Sequence, residues 1–180
     1  MTGLERTALV VVDVQRAFED AGYWGRRNNP DCEANVAALL AAWRAAERPV
    51  VFVRHDSDEP ASPLRPGAPG NAFRPELTGE PDLLVTKQVN SAFHGDPDLA
   101  AWLRERELGG IAICGITTNH CCETTARVGG NLGRRGPVRA RRDAHVRPRR
   151  AGRRRHERGR AGARDGDEPA RRVRDGGLHR

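Results

Sequence analysis

Two adjacent cysteines, Cys121 and Cys122, follow an apolar run and a short polar turn in residues 111–125, IAICGITTNHCCETT. That order reads as a buried strand handing over to a helix, and a thiol at a helix N-terminus can have its pKa lowered and act as a nucleophile. A nucleophilic thiol needs a proton acceptor and a charge that steadies both partners. Asp13 lies near the end of the apolar run at 8–14, ALVVVDV, and Lys87, the only lysine in the chain, follows the run at 83–86. An acid, a base and a thiol at three strand exits match a nucleophile with its activators. Each also has a plainer reading: Asp13 as a turn cap, Lys87 as a solvated lysine, the cysteines as packing thiols. His55, just beyond the run at 50–53, can be a ligand, a base or a structural histidine, and no second histidine lies near it. Cys114, Cys121 and Cys122 lack a CxxC pair, so no zinc site is expected.

The elements that must position these residues alternate along the chain. Runs at 8–14, 50–53, 83–86 and 111–113 are short, continuous and β-branched, as strands covered on both faces are. Between them, residues 31–47 read as an alanine-rich helix with Asp31 as N-cap and Val36, Leu39, Leu40 and Trp43 as its apolar stripe. Residues 97–107 read as a second helix capped by Asp96, with Leu99, Trp102, Leu103 and Leu108 facing inward. This alternation predicts an α/β fold, three-layer α/β/α, with a mostly parallel, doubly wound sheet. In such a sheet all strand exits share one edge, where ligands bind. Residues 57–81 hold six prolines and read as a long irregular loop over that edge. Phe18, Trp24, Asn90 and Phe93 are candidate pocket residues, with core packing the alternative for both phenylalanines.

The 180 residues suffice for one domain with a sizeable core, but the formal charge of +7 is not an average property. Residues 1–133 carry 13 Lys and Arg against 18 Asp and Glu, whereas 134–180 carry 18 Arg against 6 acids. Every aromatic residue and all four cysteines precede position 133. The chain therefore divides into a domain at 1–133 and an arginine-rich tail at 134–180. No apolar run approaches the ~20 residues of a membrane helix and no signal peptide is evident. Four cysteines without framework spacing argue for reduced thiols and a cytoplasmic protein.

Asp13 in DVQRAF, Lys87 in TKQVNSAF and Cys121 in GITTNHCCETTARVGGNLG together resemble the isochorismatase-like cysteine hydrolase family, which includes nicotinamidases and N-carbamoylsarcosine amidases. The resemblance spans about residues 6–133. It implies Cys121 as nucleophile, Asp13 as proton acceptor and donor, and Lys87 as the charge that supports both. It further implies an oxyanion hole from the backbone N–H groups of Thr117 and Cys121, with a cis peptide at Ile116–Thr117. Cys122 stands where the family often has valine and is expected to be a packing thiol.

Two departures shape the expectation. The region RHDSDEP lacks the histidine spacing of the nicotinamidase metal site, so no metal or other cofactor is expected. The intact thiol set favours cleavage of a C–N bond in a small amide or ureide through a thioester acyl-enzyme. Vinyl-ether hydrolysis of the isochorismatase type is the alternative within the family. By the same resemblance a homo-oligomer is expected. After NLG the family continues with a segment resembling DATHTFD, whereas this chain gives RRDAHVR. One choice of codons for RRDAHVR, read one nucleotide later, encodes DATHTFD, so residues from about 134 are expected to be out of frame and the last strands of the fold missing. The competing reading is an inactive scaffold whose basic, disordered arm binds nucleic acid through counterion release. The absence of aromatics in the arm argues against nucleic acid as a partner.

Overall fold

The computed structural model describes residues 4–134. The expectations for the tail and for the missing strands lie outside the described residues. Four strands form one parallel sheet in the order β3-β2-β1-β4: β1 (Thr7–Val12), β2 (Val50–His55), β3 (Leu83–Lys87) and β4 (Gly110–Gly115). The chain lays down β1, β2 and β3 side by side, then returns to the far side of β1 for β4. The order therefore reverses between β1 and β4, and a crevice opens at the carboxyl ends there.

All six residues of β1 are buried, which accounts for its unbroken apolar sequence. Successive side chains take opposite faces. Leu9, Val11, Phe52, Ala112 and Cys114 pack against Val36, Leu40 and Trp43 of α2 (Cys32–Ala45). Ala8, Val10, Val12, Val51, Val53, Val85, Ile111 and Ile113 pack on the other side. Their partners there are Leu99, Trp102 and Leu103 of α3 (Leu99–Glu105), with Cys122 and Ala126 at and within α4 (Glu123–Asn131). The result is the expected three layers. Each fully buried Leu, Val or Ile stabilises the fold by about 1.5–3 kcal/mol relative to exposure. A four-residue turn of helix, α1 (Ala21–Trp24), precedes α2. Among the described residues no helix is long and apolar enough to cross a membrane.

Two caps differ from expectation. Asp31 occupies the N-cap of α2 but its side chain makes no capping bond. α3 is shorter than expected and is capped by Asp98, whose carboxylate accepts from Ala100 N–H at 2.8 Å and Ala101 N–H at 3.1 Å. Asp96 is committed elsewhere: its backbone exchanges hydrogen bonds of 2.8 and 2.9 Å with Thr86 at the β3 edge. Gly115, at the end of β4, has φ +137°, and a Cβ there would run into the Val12 carbonyl. Only glycine lets β4 leave the sheet so close to β1.

Candidate active site

Asp13 is the first residue beyond β1. Its φ of +50° is in the left-handed region, where a non-glycine residue costs about 1 kcal/mol or more. Lys87 is the last residue of β3 and is paired in register with His55 of β2. Since β2 lies between β1 and β3, the lysine must reach across two strand spacings, about 10 Å, to meet Asp13. It does so. Lys87 Nζ donates to Asp13 Oδ2 at 2.7 Å and to Cys121 Sγ at 3.4 Å, and lies 3.1 Å from His55 Nδ1. Asp13, Lys87 and Cys121 are 1%, 2% and 9% exposed, so the group is an interior one that opens only at the sulfur.

Cys121 lies in a π-helical turn, Thr118–Cys122, that runs directly into α4. Its S–H faces Asn90 Oδ1 at 3.8 Å. The expectation of a lowered thiol pKa is corrected here: burial first, then the Asp13 carboxylate, push the thiol well above its ordinary value, and Lys87 only partly opposes them. A thiol so placed needs a base in contact with it to act as a nucleophile. Burial disfavours the Lys87 ammonium, but Asp13 and then Cys121 outweigh it and hold the lysine above its usual range. Asp13 Oδ1 is buried with no hydrogen-bond partner, which leaves one acceptor oxygen free for a transferable proton.

A cavity of about 330 Å³ opens onto the sulfur, lined by Asp13, Phe18, Trp24, His55, Leu64, Asn90, Thr117, His120 and Cys121. Phe18 and Trp24 stack with ring centres 4.7 Å apart, and Trp24 Nε1 is tied to Ala17 O at 2.9 Å. Phe93 is the exception among the expected pocket residues. It packs on the α3–α4 side of the core, and a Cβ on Gly129 of α4 would come within 3.0 Å of its ring. The Ile116–Thr117 peptide is cis, and Thr117 is buried on the cavity wall next to Cys121. Cys122 is fully buried in the core and is not among the residues that line the cavity.

Sequence reasoning passed over several residues. Gln15, fully buried, grips the backbone of His55 from both sides: Nε2 donates to His55 O at 3.1 Å and Oε1 accepts from His55 N at 2.9 Å. Asn71 Nδ2 donates to His55 O, Asp56 Oδ1 and Leu64 O, pinning the 57–81 loop to the end of β2. A glutamine two positions after Asp13 at a strand exit was the available signal. Leu64 and His120 carried none.

Asp13, His55 and Cys121 offer three metal-ligand atoms within 4.8 Å of one another. The set does not fit a cation, because the Lys87 ammonium lies within hydrogen-bonding distance of all three and takes the position an ion would need.

The sequence profile of the isochorismatase domain matches residues 7–148, running past residue 133, where the motifs end. The isochorismatase family protein YrdC of Bacillus subtilis (strain 168), itself uncharacterised, is 40% identical over 72% of this chain and 68% of its own length. A ureidoacrylate amidohydrolase, RutB of Methylobacterium radiotolerans, is 31% identical over 68% of this chain and 61% of its own. The crystal structure of a hydrolase of the isochorismatase family from Chromobacterium violaceum superposes with a TM-score of 0.66 at 42% identity, covering 72% of this chain and 66% of that one. The chain thus spans about two thirds of the length of these relatives. With the profile covering most of the sequence and the sheet, crevice and buried thiol all in place, the chain belongs to the isochorismatase family of hydrolases.

Proposed function

We propose that this chain cleaves the C–N bond of a small amide or ureide through a thioester at Cys121. The observation that carries the reading is the Lys87 ammonium, in contact with Asp13 Oδ2 and Cys121 Sγ at 2.7 and 3.4 Å. It allows the thiol proton to pass to Asp13 while the thiolate left behind stays paired with a cation. In the first half-reaction the sulfur bonds the substrate carbonyl carbon and the proton moves to Asp13. Backbone N–H groups of Thr117 and Cys121 receive the oxyanion, and donors of this kind typically contribute ~3 kcal/mol of barrier lowering each. Collapse breaks the C–N bond, and the amine leaves with the proton from Asp13. In the second half, water gives a proton to Asp13 and attacks the thioester, and the thiolate that departs takes the proton back.

The cavity is at the small end of ligand pockets, about 300–1,000 Å³, with polar groups at the sulfur and Phe18, Trp24 and Leu64 elsewhere on its wall. This supports a compact substrate with one amide or ureide group and a flat or apolar remainder. The ureidoacrylate amidohydrolase relative supports the same class.

The test is an ammonia-release assay across small amides and ureides, with intact-mass detection of the acyl adduct on quenching. The expected result is release by the native chain, an adduct that maps to Cys121, and neither in Cys121→Ala. Release that persists in Cys121→Ala, or turnover of a vinyl ether with no adduct, would overturn it.

A further inference from the structure

We propose that His55 is a positioning residue for this chemistry: its neutral ring accepts a hydrogen bond from Lys87 and so fixes the ammonium between Asp13 and Cys121. The inference rests on the reading of Asp13, Lys87 and Cys121 given above. The sheet order supplies the reason. Lys87 belongs to β3 and Asp13 to the end of β1, so the lysine side chain passes over the exit of β2, where its register partner is His55. An ammonium has three N–H donors. Asp13 Oδ2 at 2.7 Å, His55 Nδ1 at 3.1 Å and Cys121 Sγ at 3.4 Å account for one each. Without His55, the long side chain would cross β2 with one donor unpaired and one fewer restraint on its approach to the sulfur.

The backbone that carries the ring is held by its surroundings. Both backbone polar groups of His55 are taken by Gln15, and its carbonyl also accepts from Asn71 at 3.1 Å. Accepting from Lys87 at Nδ1 requires the proton to be on Nε2, so one tautomer is selected.

The same geometry makes the arrangement sensitive to acid. A proton on Nδ1 would set two cations 3.1 Å apart. The groups around the ring are Lys87 from β3, Asp13 beyond β1, Cys121 from the π turn, and Asp56 and Asp58 on the segment after β2. Burial and then Lys87 depress the imidazole below its ordinary value, and the three carboxylates oppose them without prevailing. The positioning bond is therefore intact at neutral pH and is lost as pH falls through a value below about 6.5.

The experiment needs no substrate, so a failure to find amide turnover leaves it interpretable. Nitrogen-15 spectra of the full chain report the His55 tautomer and its titration. Iodoacetamide labelling of Cys121 is followed against pH in the native chain, His55→Gln and His55→Leu. We expect the Nε2–H tautomer, and a break in the labelling profile at the pH where the ring titrates. His55→Gln can accept from Lys87 but does not titrate; it should keep the neutral-pH rate and lose the break. His55→Leu should slow labelling at least about tenfold, equivalent to one unit of thiol pKa. An Nδ1–H tautomer, a break that survives in His55→Gln, or native labelling in His55→Leu would each overturn the proposal.

Discussion

On the α2 side of the sheet, Leu9, Val11, Phe52 and Cys114 meet Val36, Leu40 and Trp43, and no charged side chain is among them. On the α3–α4 side the same alternation begins with Val51, Val53 and Val85 but continues, two residues further along β2 and β3, into His55 and Lys87. One face is a layer that any well-shaped apolar side chain can fill. The other ends in an ammonium and a carboxylate that are 2% and 1% exposed. A change on the first face costs energy in proportion to the volume removed. On the second, removing one charge leaves the other buried alone, which is far worse than removing both.

That contrast can be broken most directly at Lys87. Lys87→Met should lower turnover at least about a thousandfold and destabilise the chain by about 3–5 kcal/mol, read from steady-state rates and urea midpoints. Lys87→Met with Asp13→Leu should recover much of the stability and none of the activity; a double variant as unstable as the single one would mean the buried pair is not the cause. Next in size is the pair of cysteines. Cys121→Ala should abolish turnover with little change in midpoint, while Cys122→Ala should keep turnover and lose about 1 kcal/mol. Equal activity in the two would end the distinction between the cavity thiol and the core thiol. On the other face, Leu40→Ala should cost about 2–5 kcal/mol and leave kcat of the folded chain unchanged. Gly129→Ala would place a Cβ 2.9 Å from Ile111 Cδ1 and 3.0 Å from Phe93. It should cost about 1–3 kcal/mol, seen as a lower melting temperature. The smallest effect is at Asp56. Burial disfavours its carboxylate, but hydrogen bonds from Arg54 and Asn71 prevail and hold it below the usual carboxylate range. Its contribution is present above the unfolded pKa and is lost as pH falls through the lower folded one. Asp56→Asn should therefore cost under about 1 kcal/mol at pH 7 and flatten the acid side of the stability profile.

The strands, and the meeting of Asp13, Lys87 and Cys121, were legible because parallel strands are continuous apolar runs, and a polar residue at the end of such a run has few other places to go. Asp13 and Lys87 satisfy that rule, while Cys121 was marked instead by the turn that follows its strand. His55 satisfies it too, yet its type is ambiguous, and its partner Lys87 lies 32 residues away on a neighbouring strand. Register decides the matter, and register is not written in either segment alone. The cap of α3 was misassigned because the DPD segment offers two aspartates, and only the bridge to Thr86 shows that Asp96 is committed to the sheet edge. Phe93 had two readings, pocket or core, and the small residue of α4 beside its ring, Gly129, is not its neighbour in sequence. The thiol's raised pKa depends on burial first and on the Asp13 carboxylate next, and neither has a local sequence mark.

β3 carries Lys87, and β3 is an edge strand of the described sheet with Leu84 38% exposed. Edge elements open locally at lower free energy than the centre of a sheet. When β3 frays, the crossing side chain withdraws and Cys121 loses its cation, although β1, β2, β4 and the α2-side core can remain folded. Catalytic competence and foldedness are then separate quantities in this chain. Mild denaturant or warmth would silence it while its far-ultraviolet circular dichroism still read as native, and cooling would restore it without any refolding of the whole.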